Sequence, residues 1–243
     1  MLSITALILI ASTLGTVTGF GTSTIMMPIL MVYYPTPEVL LFVSIVHWFN
    51  ALIRVFLFRE GLDWKLIFFY GFAGIIAAYF GAKTFLTINP ELVSKIITVF
   101  LLAYSIFLWL NPKFQIKYSN LKASVFGSVS GFIAGLFGMG GAIRGAFLSS
   151  FNLPKAVYLA NAAFILLLID SSRLTTYFSQ GMSFDSILSF SETSSWLILS
   201  GFLVASIIGV NLGKAIVNKV PQDKFRLGIA LFLAAIAIKL FMH

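Results

Sequence analysis

The sequence predicts an all-α integral membrane protein built from two homologous repeats. Of its 243 residues, 59% are hydrophobic and only 10% are charged, whereas soluble domains are about 45 to 50% apolar. Apolar stretches of about 20 residues, the length of one membrane-spanning helix, recur along the whole chain. Two glycine-rich clusters also occur at corresponding points of the two halves. This composition leaves no room for a separate soluble domain.

Composition and motifs also exclude several classes of function. The net charge is +8, but the basic residues lie at the ends of apolar segments, as the positive-inside rule expects, and form no nucleic-acid patch. Cysteine is absent, so disulfides and thiolate metal ligands are excluded. Metalloprotease, serine-hydrolase and P-loop motifs are missing. We expect no enzyme activity, no cofactor, no metal and no nucleic-acid partner, while a homo-oligomer is left open.

The glycine clusters divide the chain into two repeats. The first cluster is Gly15 to Gly21 and the second is Gly131 to Gly138. Further matched features follow in the same order in both halves: Pro37 and Pro154, Arg54 and Arg173, Gly61 and Gly181, and Pro90 and Pro221. We therefore assign residues 1–111 to the first membrane repeat, 112–121 to a cytoplasmic linker, and 122–243 to the second repeat.

Each repeat begins with a glycine-interrupted apolar stretch and continues with three ordinary spans. The interrupted stretches cover about residues 3–34 and 123–151. The ordinary spans cover about residues 37–58, 64–86 and 90–111 in the first repeat, and 154–177, 194–218 and 222–242 in the second. The first segment, Met1 to Gly15, lacks the basic n-region of a signal peptide, so we treat it as part of the membrane domain.

The distribution of basic residues bears on whether the interrupted stretches cross the membrane. If each crosses once, the 16 basic residues divide eight against eight. If each returns as a re-entrant helical hairpin, one face collects eleven: Arg54, Arg59, Lys65, Lys113, Lys117, Lys122, Lys155, Lys214, Lys219, Lys224 and Arg226. The other face keeps four, Lys83, Lys95, Arg173 and Lys239, with Arg144 inside the membrane. The bias favours inverted repeats with both termini outside the cytoplasm.

The two glycine breaks are the candidate binding site. Irregular backbone at membrane depth must be buried in protein or line a cavity, and paired broken helices aim their N-termini at a bound anion. The candidate substrate ligands are Gly21, Thr22, Ser23 and Thr24 in the first break, Gly138, Gly140, Gly141 and Arg144 in the second, and Asn161. The alternative is helix packing by small residues, which fits Gly15, Gly19, Gly131 and Gly135 best.

Polar residues inside the spans are candidates for ion coupling or gating, because such residues are costly in a bilayer. They are His47, Asn50, Asp170 and Arg173. Asp170 and Arg173 lie three residues apart on one helical face, so the alternative is simple mutual neutralisation. For His47 the alternative is a hydrogen bond between helices, and Arg144 could instead extend to a membrane interface. The proline alignment pairs Asn161 with Ser44, which favours Asn161 as a wall of the binding cavity.

The duplicated glycine motif resembles the sulfite exporter TauE/SafE family of membrane anion permeases. The clearer copy runs from Gly131 through Gly135 and Gly138 to Gly141, and the looser one is Gly19-Phe20-Gly21 followed by Pro28. The chain departs from the common pattern at Gly145 and at Thr22 to Thr24, so the particular anion stays open. The resemblance implies transport of sulfite, sulfoacetate, other sulfonates or related carboxylates across a prokaryotic plasma membrane.

The sequence therefore predicts a secondary transporter, an exporter of small anions, that works by alternating access around a midplane site. An anion channel is the main alternative, and a membrane-embedded enzyme is a weaker one. The coupling ion and the oligomeric state stay open at this point.

Overall fold

The computed structural model describes residues 2–31, 33–84, 115–138, 140–183 and 195–221, with isolated positions between 95 and 110 and at 231 and 235. Every regular element in these ranges is helical. The ordinary spans expected at about residues 90–111 and 222–242 lie outside the described ranges. The prediction of an all-helical chain is confirmed for the part of the sequence that the structure covers.

The described ranges form eight helices: α1 Leu2–Thr18, α2 Ser23–Leu30, α3 Thr36–Phe58, α4 Trp64–Thr84, α5 Asn120–Phe137, α6 Gly140–Ser150, α7 Lys155–Ser179 and α8 Ser195–Lys219. A 3-10 turn, Arg59–Gly61, extends α3, and α4 contains a π-helical turn at Ile67–Gly71. Within these ranges, four helices are long and apolar enough to cross a membrane: Pro37–Gly61, Trp64–Thr84, Lys155–Ser179 and Ser200–Lys219. The four ordinary spans expected in these regions are confirmed as helices.

Local capping explains where the long helices begin. The Asp63 carboxylate accepts hydrogen bonds from the first amides of α4, and the Ser119 hydroxyl does the same for α5. Pro35 and Pro154 precede α3 and α7 with nearly equal backbone angles, φ −58° and ψ 138° against φ −52° and ψ 143°. Pro35, and not Pro37, therefore holds the position before α3 that Pro154 holds before α7.

Each glycine-interrupted stretch folds back on itself. At the tip of the first, the Gly21 amide donates to the Gly15 carbonyl over 3.2 Å. The far ends of α1 and α2 meet around a cavity of about 630 Å³ whose lining includes Ile4, Leu7, Ile29, Leu30, Tyr33 and Tyr34. In the second stretch, the Ile116 amide donates to the Ser150 carbonyl over 2.8 Å, so the start of α5 lies beside the end of α6.

Glycines let α4 and α5 pack closely and in parallel. A Cβ added at Gly131 would overlap the backbone of Gly74, and one added at Gly135 would overlap that of Ala78. Small residues at such crossings allow helix backbones to approach in a membrane protein. The packing interpretation is confirmed for Gly131 and Gly135.

Helix α3 runs antiparallel to α7 and packs against it. The Trp48 indole donates to the Ser171 hydroxyl over 2.9 Å. A Cβ at Gly61, beyond the end of α3, would overlap the backbone of Ala156 at the start of α7. Helices α1 and α8 lie alongside this pair, and α8 contacts both α1 and α3.

Candidate anion site at the two helix breaks

The chain leaves helical geometry at two points that meet inside the fold. Gly19, Gly21 and Gly138 have positive φ values of 77°, 88° and 70°. This left-handed region is readily available only to glycine, so these residues allow α1 and α5 to end sharply. After the breaks the chain resumes as α2 at Ser23 and as α6 at Gly140.

The N-termini of α2 and α6 are in contact with each other. A Cβ added at Gly141 would overlap the Phe20 carbonyl oxygen and would lie 2.9 Å from the Thr24 hydroxyl oxygen. The Phe20 ring packs against Gly145, where a Cβ would also overlap it. The N-terminal end of a helix carries free amides and a partial positive charge, so two such ends together favour a negatively charged ligand.

Three hydroxyl groups at the start of α2 are buried without a partner. Thr22, Ser23 and Thr24 are at most 2% exposed, and within the described ranges none of their hydroxyl oxygens makes a hydrogen bond. Buried polar atoms in proteins are normally satisfied, so such a cluster calls for an explanation. Three of the four predicted substrate ligands of the first break are therefore grouped at one buried point.

Arg144 lies inside the protein and does not extend to an interface. Its side chain is 2% exposed, and one guanidinium nitrogen, Nη2, donates to the Phe20 carbonyl over 3.2 Å. The Nε atom has no hydrogen-bond partner, and no carboxylate pairs with Arg144, among the residues that the structure covers. The expectation that it could reach an interface is wrong, because α6 begins at the buried break and places Arg144 in its second turn.

Two further arginines support the ends of the first half-helices. Arg54 donates from Nη1 to the Gly15 carbonyl over 3.1 Å, and Arg173 donates from Nη1 to the Ala134 carbonyl over 2.9 Å. Each carbonyl lies three residues before the end of its helix and also accepts a backbone amide of the break, Gly15 from Gly21 and Ala134 from Gly138. Both arginines are buried, so the expectation that they lie at opposite membrane faces is wrong.

The structure places His47, Asp170 and Arg173 in one buried cluster. The His47 Nδ1 atom lies 2.8 Å from Asp170 Oδ2, and Arg173 Nη2 lies 3.2 Å from Asp170 Oδ1. The expected pairing of Asp170 with Arg173 is confirmed, and His47 shares the same carboxylate from α3. A Cβ added at Gly21 would overlap His47 at Nε2, so this cluster adjoins the first break.

Two predicted residues have other partners. The Asn161 amide donates to the Gly61 and Val157 carbonyls over 3.0 and 2.6 Å and accepts from the Asp63 amide over 3.0 Å. These bonds use the side-chain amide of Asn161 to hold the turn between α3 and α4. Asn161 is therefore no longer a candidate substrate ligand. Asn50 donates to the Ser206 hydroxyl over 3.1 Å and thereby links α3 to α8.

The sequence did not indicate two tyrosines that donate hydrogen bonds near the ends of α1 and α5. The Tyr158 hydroxyl donates to the Thr18 carbonyl over 3.0 Å, and the Tyr177 hydroxyl donates to the Gly135 carbonyl over 2.6 Å. Tyrosine is common at membrane interfaces, and no feature of the sequence distinguished Tyr158 and Tyr177 from tyrosines at an interface. Arg54 did carry a signal, since it is a charged residue inside an apolar span and matches Arg173.

The buried charges of this region do not balance. Three arginines, Arg54, Arg144 and Arg173, are buried, while Asp170 is the one fully buried carboxylate in the described ranges. With His47 neutral, the cluster carries a net charge of +2. Buried charges without partners are strongly unfavourable, so this arrangement is suited to a bound anion.

The apolar helices and the polar core define a multi-pass membrane protein. The chain matches the family described as Sulfite exporter TauE/SafE over residues 4–240, nearly its whole length, and it belongs to that family. The family consists of anion transporters and not of enzymes. Comparison with curated proteins and with solved structures gives no significant match.

Proposed function

We propose that the protein is a secondary transporter that exports small sulfur-containing or carboxylate anions, such as sulfite, sulfoacetate or other sulfonates. The observation that carries this proposal is the net positive charge at the two breaks, where Arg54 and Arg144 have no carboxylate partner among the described residues. An anion with two negative charges would neutralise the site. Family membership supports the same substrate class.

The bound anion would replace its water shell with donors from both breaks. Thr22, Ser23 and Thr24 supply three hydroxyls that have no other partner in the described ranges. Gly140 and Gly141 supply amides of the first turn of α6, which have no partner within the helix, and Arg144 supplies its Nε–H. Hydrogen bonds from charged donors to an oxyanion are about twice as strong as neutral ones, so Arg144 is the dominant ligand in this proposal.

The two repeats are inverted in this proposal, and each fold-back is a re-entrant hairpin. Helix α5 has 18 residues and α6 has 11, so they extend about 27 and 16 Å along the hairpin. The adjacent ends of α5 and α6 near Ile116 and Ser150 support entry and exit at one face. The antiparallel α3 and α7, each following a fold-back, support opposite orientations of the two repeats.

The basic side chains support an orientation in a prokaryotic plasma membrane. Those at the face where α3 ends and α5 begins are Arg59, Lys65, Lys117, Lys122, Lys155, Lys214 and Lys219. Lys83, at the end of α4, lies at the opposite face. The positive-inside rule makes the first face cytoplasmic and puts the start of α1 outside the cytoplasm.

Labelling of single cysteines tests this topology, and the cysteine-free chain is a ready background. With the hairpins, Lys117→Cys and Pro154→Cys are modified from the cytoplasmic side, and Tyr33→Cys and Gln180→Cys from the other side. If each interrupted stretch crosses once instead, residues 117 and 154 lie on opposite faces. Labelling of those two positions from opposite sides would therefore refute the re-entrant arrangement.

Transport would proceed by alternating access around the breaks. In the described structure the two tips are closed on each other, since the Phe20 ring fills the space beside Gly145. A closed site between two broken helices fits a transporter that opens to one side at a time better than it fits a continuous pore. Saturation of the anion flux distinguishes the two, because a channel would not saturate at comparable concentrations.

Binding to the purified protein tests the substrate class. We expect sulfite and sulfoacetate to raise the thermal unfolding midpoint, because a ligand that binds only the folded state stabilises it. Methanesulfonate and acetate, which carry one negative charge, serve as matched probes and should stabilise less. Equal responses to all four anions would contradict charge matching, and the absence of any response would contradict the proposed function.

A further inference from the structure

We propose that His47 and Asp170 form a proton-coupling element that moves one proton in the same direction as each anion. This inference rests on the proposed transport function and concerns the same pair of breaks. It starts from a buried imidazole that the anion site itself does not use. His47 is 2% exposed and lies on α3, where it faces α7 and the first break.

The surroundings of His47 indicate which of its nitrogens can take up a proton. Nδ1 lies 2.8 Å from Asp170 Oδ2, within ion-pair distance but without hydrogen-bond alignment, and we place the proton of the neutral imidazole on Nδ1 because the carboxylate attracts it. Its lone pair is then on Nε2, which has no hydrogen-bond partner within the described ranges and faces Gly21. A proton added to His47 therefore creates an N–H donor that points at the first break.

The charged groups around His47 come from three helices. Asp170 and Arg173 face it from α7, and Arg54 faces it from its own helix, α3. Arg144 lies on α6 at the second break, without a carboxylate partner in the described ranges. Residues 1–37, which include α1, the first break and α2, contain no charged side chain. Helix α8 carries two charged residues, Lys214 and Lys219, and both lie near its C-terminal end. The proton therefore joins a region that is already positive.

This charge balance links the proton to the anion. Without an anion, protonation of His47 raises the net charge of the buried cluster from +2 to +3, which burial strongly disfavours. With a doubly charged anion bound, the same protonation raises the net charge only from zero to +1. Each ligand therefore favours the other by thermodynamic linkage, so the proton and the anion bind together and leave together.

The step conserves atoms and charge. His47 takes one proton from water on the side where the site is open and gives it to water on the other side when the anion leaves. Asp170 stays ionised beside Arg173 throughout. One proton and one dianion together carry a single net negative charge outward, a movement that an inside-negative membrane potential favours.

Proteoliposomes containing a pH-sensitive dye test the proposal, with sulfoacetate as the probe because both of its acid groups stay ionised near neutral pH. We expect a sulfoacetate gradient to drive proton movement in the wild-type protein. In His47→Gln this proton movement should fall about tenfold or more, while exchange of labelled sulfoacetate for unlabelled sulfoacetate continues. Trp48→Phe is the matched control, since it removes the neighbouring bond from α3 to α7 and should retain coupling.

The two readouts separate the possible failures. Sulfoacetate exchange without proton movement in the wild type, or proton movement unchanged in His47→Gln, would overturn the coupling proposal and leave the transport function standing. Absence of exchange in the wild type would overturn both. If His47→Gln also loses sulfoacetate exchange, Asp170→Asn is measured in the same way. The proposal is supported if Asp170→Asn retains exchange but loses proton movement. If both variants lose exchange, His47 and Asp170 have a structural role and the proposal is refuted.

Discussion

Replacement of Arg144 by glutamine should weaken anion binding by about 10- to 100-fold, the range expected when one buried charged hydrogen bond is lost. Arg144 is buried at the start of α6, donates to the Phe20 carbonyl and has an unused Nε–H. Glutamine keeps a donor for Phe20 but removes the positive charge. The measurement is the dissociation constant of labelled sulfite or sulfoacetate with the purified protein.

Arg59→Gln is the control for this prediction, because it makes the same chemical change at an exposed residue after α3. Its dissociation constant should match that of the wild-type protein. An Arg144→Gln protein that is folded and binds with unchanged affinity would show that the anion binds elsewhere. A loss of equal size in both variants would point to general electrostatic attraction.

The contact between the two breaks leads to a second prediction with a large effect. Alanine at Gly141 would overlap the Phe20 carbonyl oxygen, whereas alanine at Gly145 would overlap the Phe20 ring. Each substitution should lower the free energy of unfolding by about 1 to 3 kcal/mol, as overpacking of a core does, and should reduce anion transport. Gly201→Ala is the control, because no atom lies within 4 Å of a Cβ added there.

Phe20→Leu separates the two clashes. A smaller side chain makes room beside Gly145, so Phe20→Leu combined with Gly145→Ala should recover stability relative to Gly145→Ala alone. It cannot move the backbone oxygen, so Phe20→Leu combined with Gly141→Ala should recover nothing. Thermal unfolding of the two double variants measures this difference as a coupling energy. Equal recovery in both pairs would mean that the contact between α2 and α6 is not as described.

Much of the helical framework could be predicted from hydropathy. The long apolar runs between about 37 and 58 and between 154 and 177 require helices, since a bilayer leaves backbone amides no other partner. The glycine clusters located both breaks, because only glycine readily accepts the positive φ values of Gly19, Gly21 and Gly138. These features are local, and so a sequence reports them.

The partners of the polar residues could not be predicted, because they depend on how helices pack. Asn161 and His47 are both polar residues in apolar helices, yet one holds a turn and the other reaches a carboxylate on a distant helix. Arg54 was placed at a membrane face because basic residues near helix ends usually lie there. Arg54 instead donates to the Gly15 carbonyl, and this hydrogen bond depends on α1 ending inside the fold.

The arginine supports of the two tips also limit which parts of the molecule can move. Arg54 fastens the end of α1 to α3, Arg173 fastens the end of α5 to α7, and the Trp48 and His47 contacts join α3 to α7. In the proposed alternating access we therefore expect these four helices to form one stationary frame, with members from both proposed repeats. We expect the short arms α2 and α6 to be the parts that swing, so that the boundary between fixed and moving bodies would cut across each proposed repeat and would not run between them.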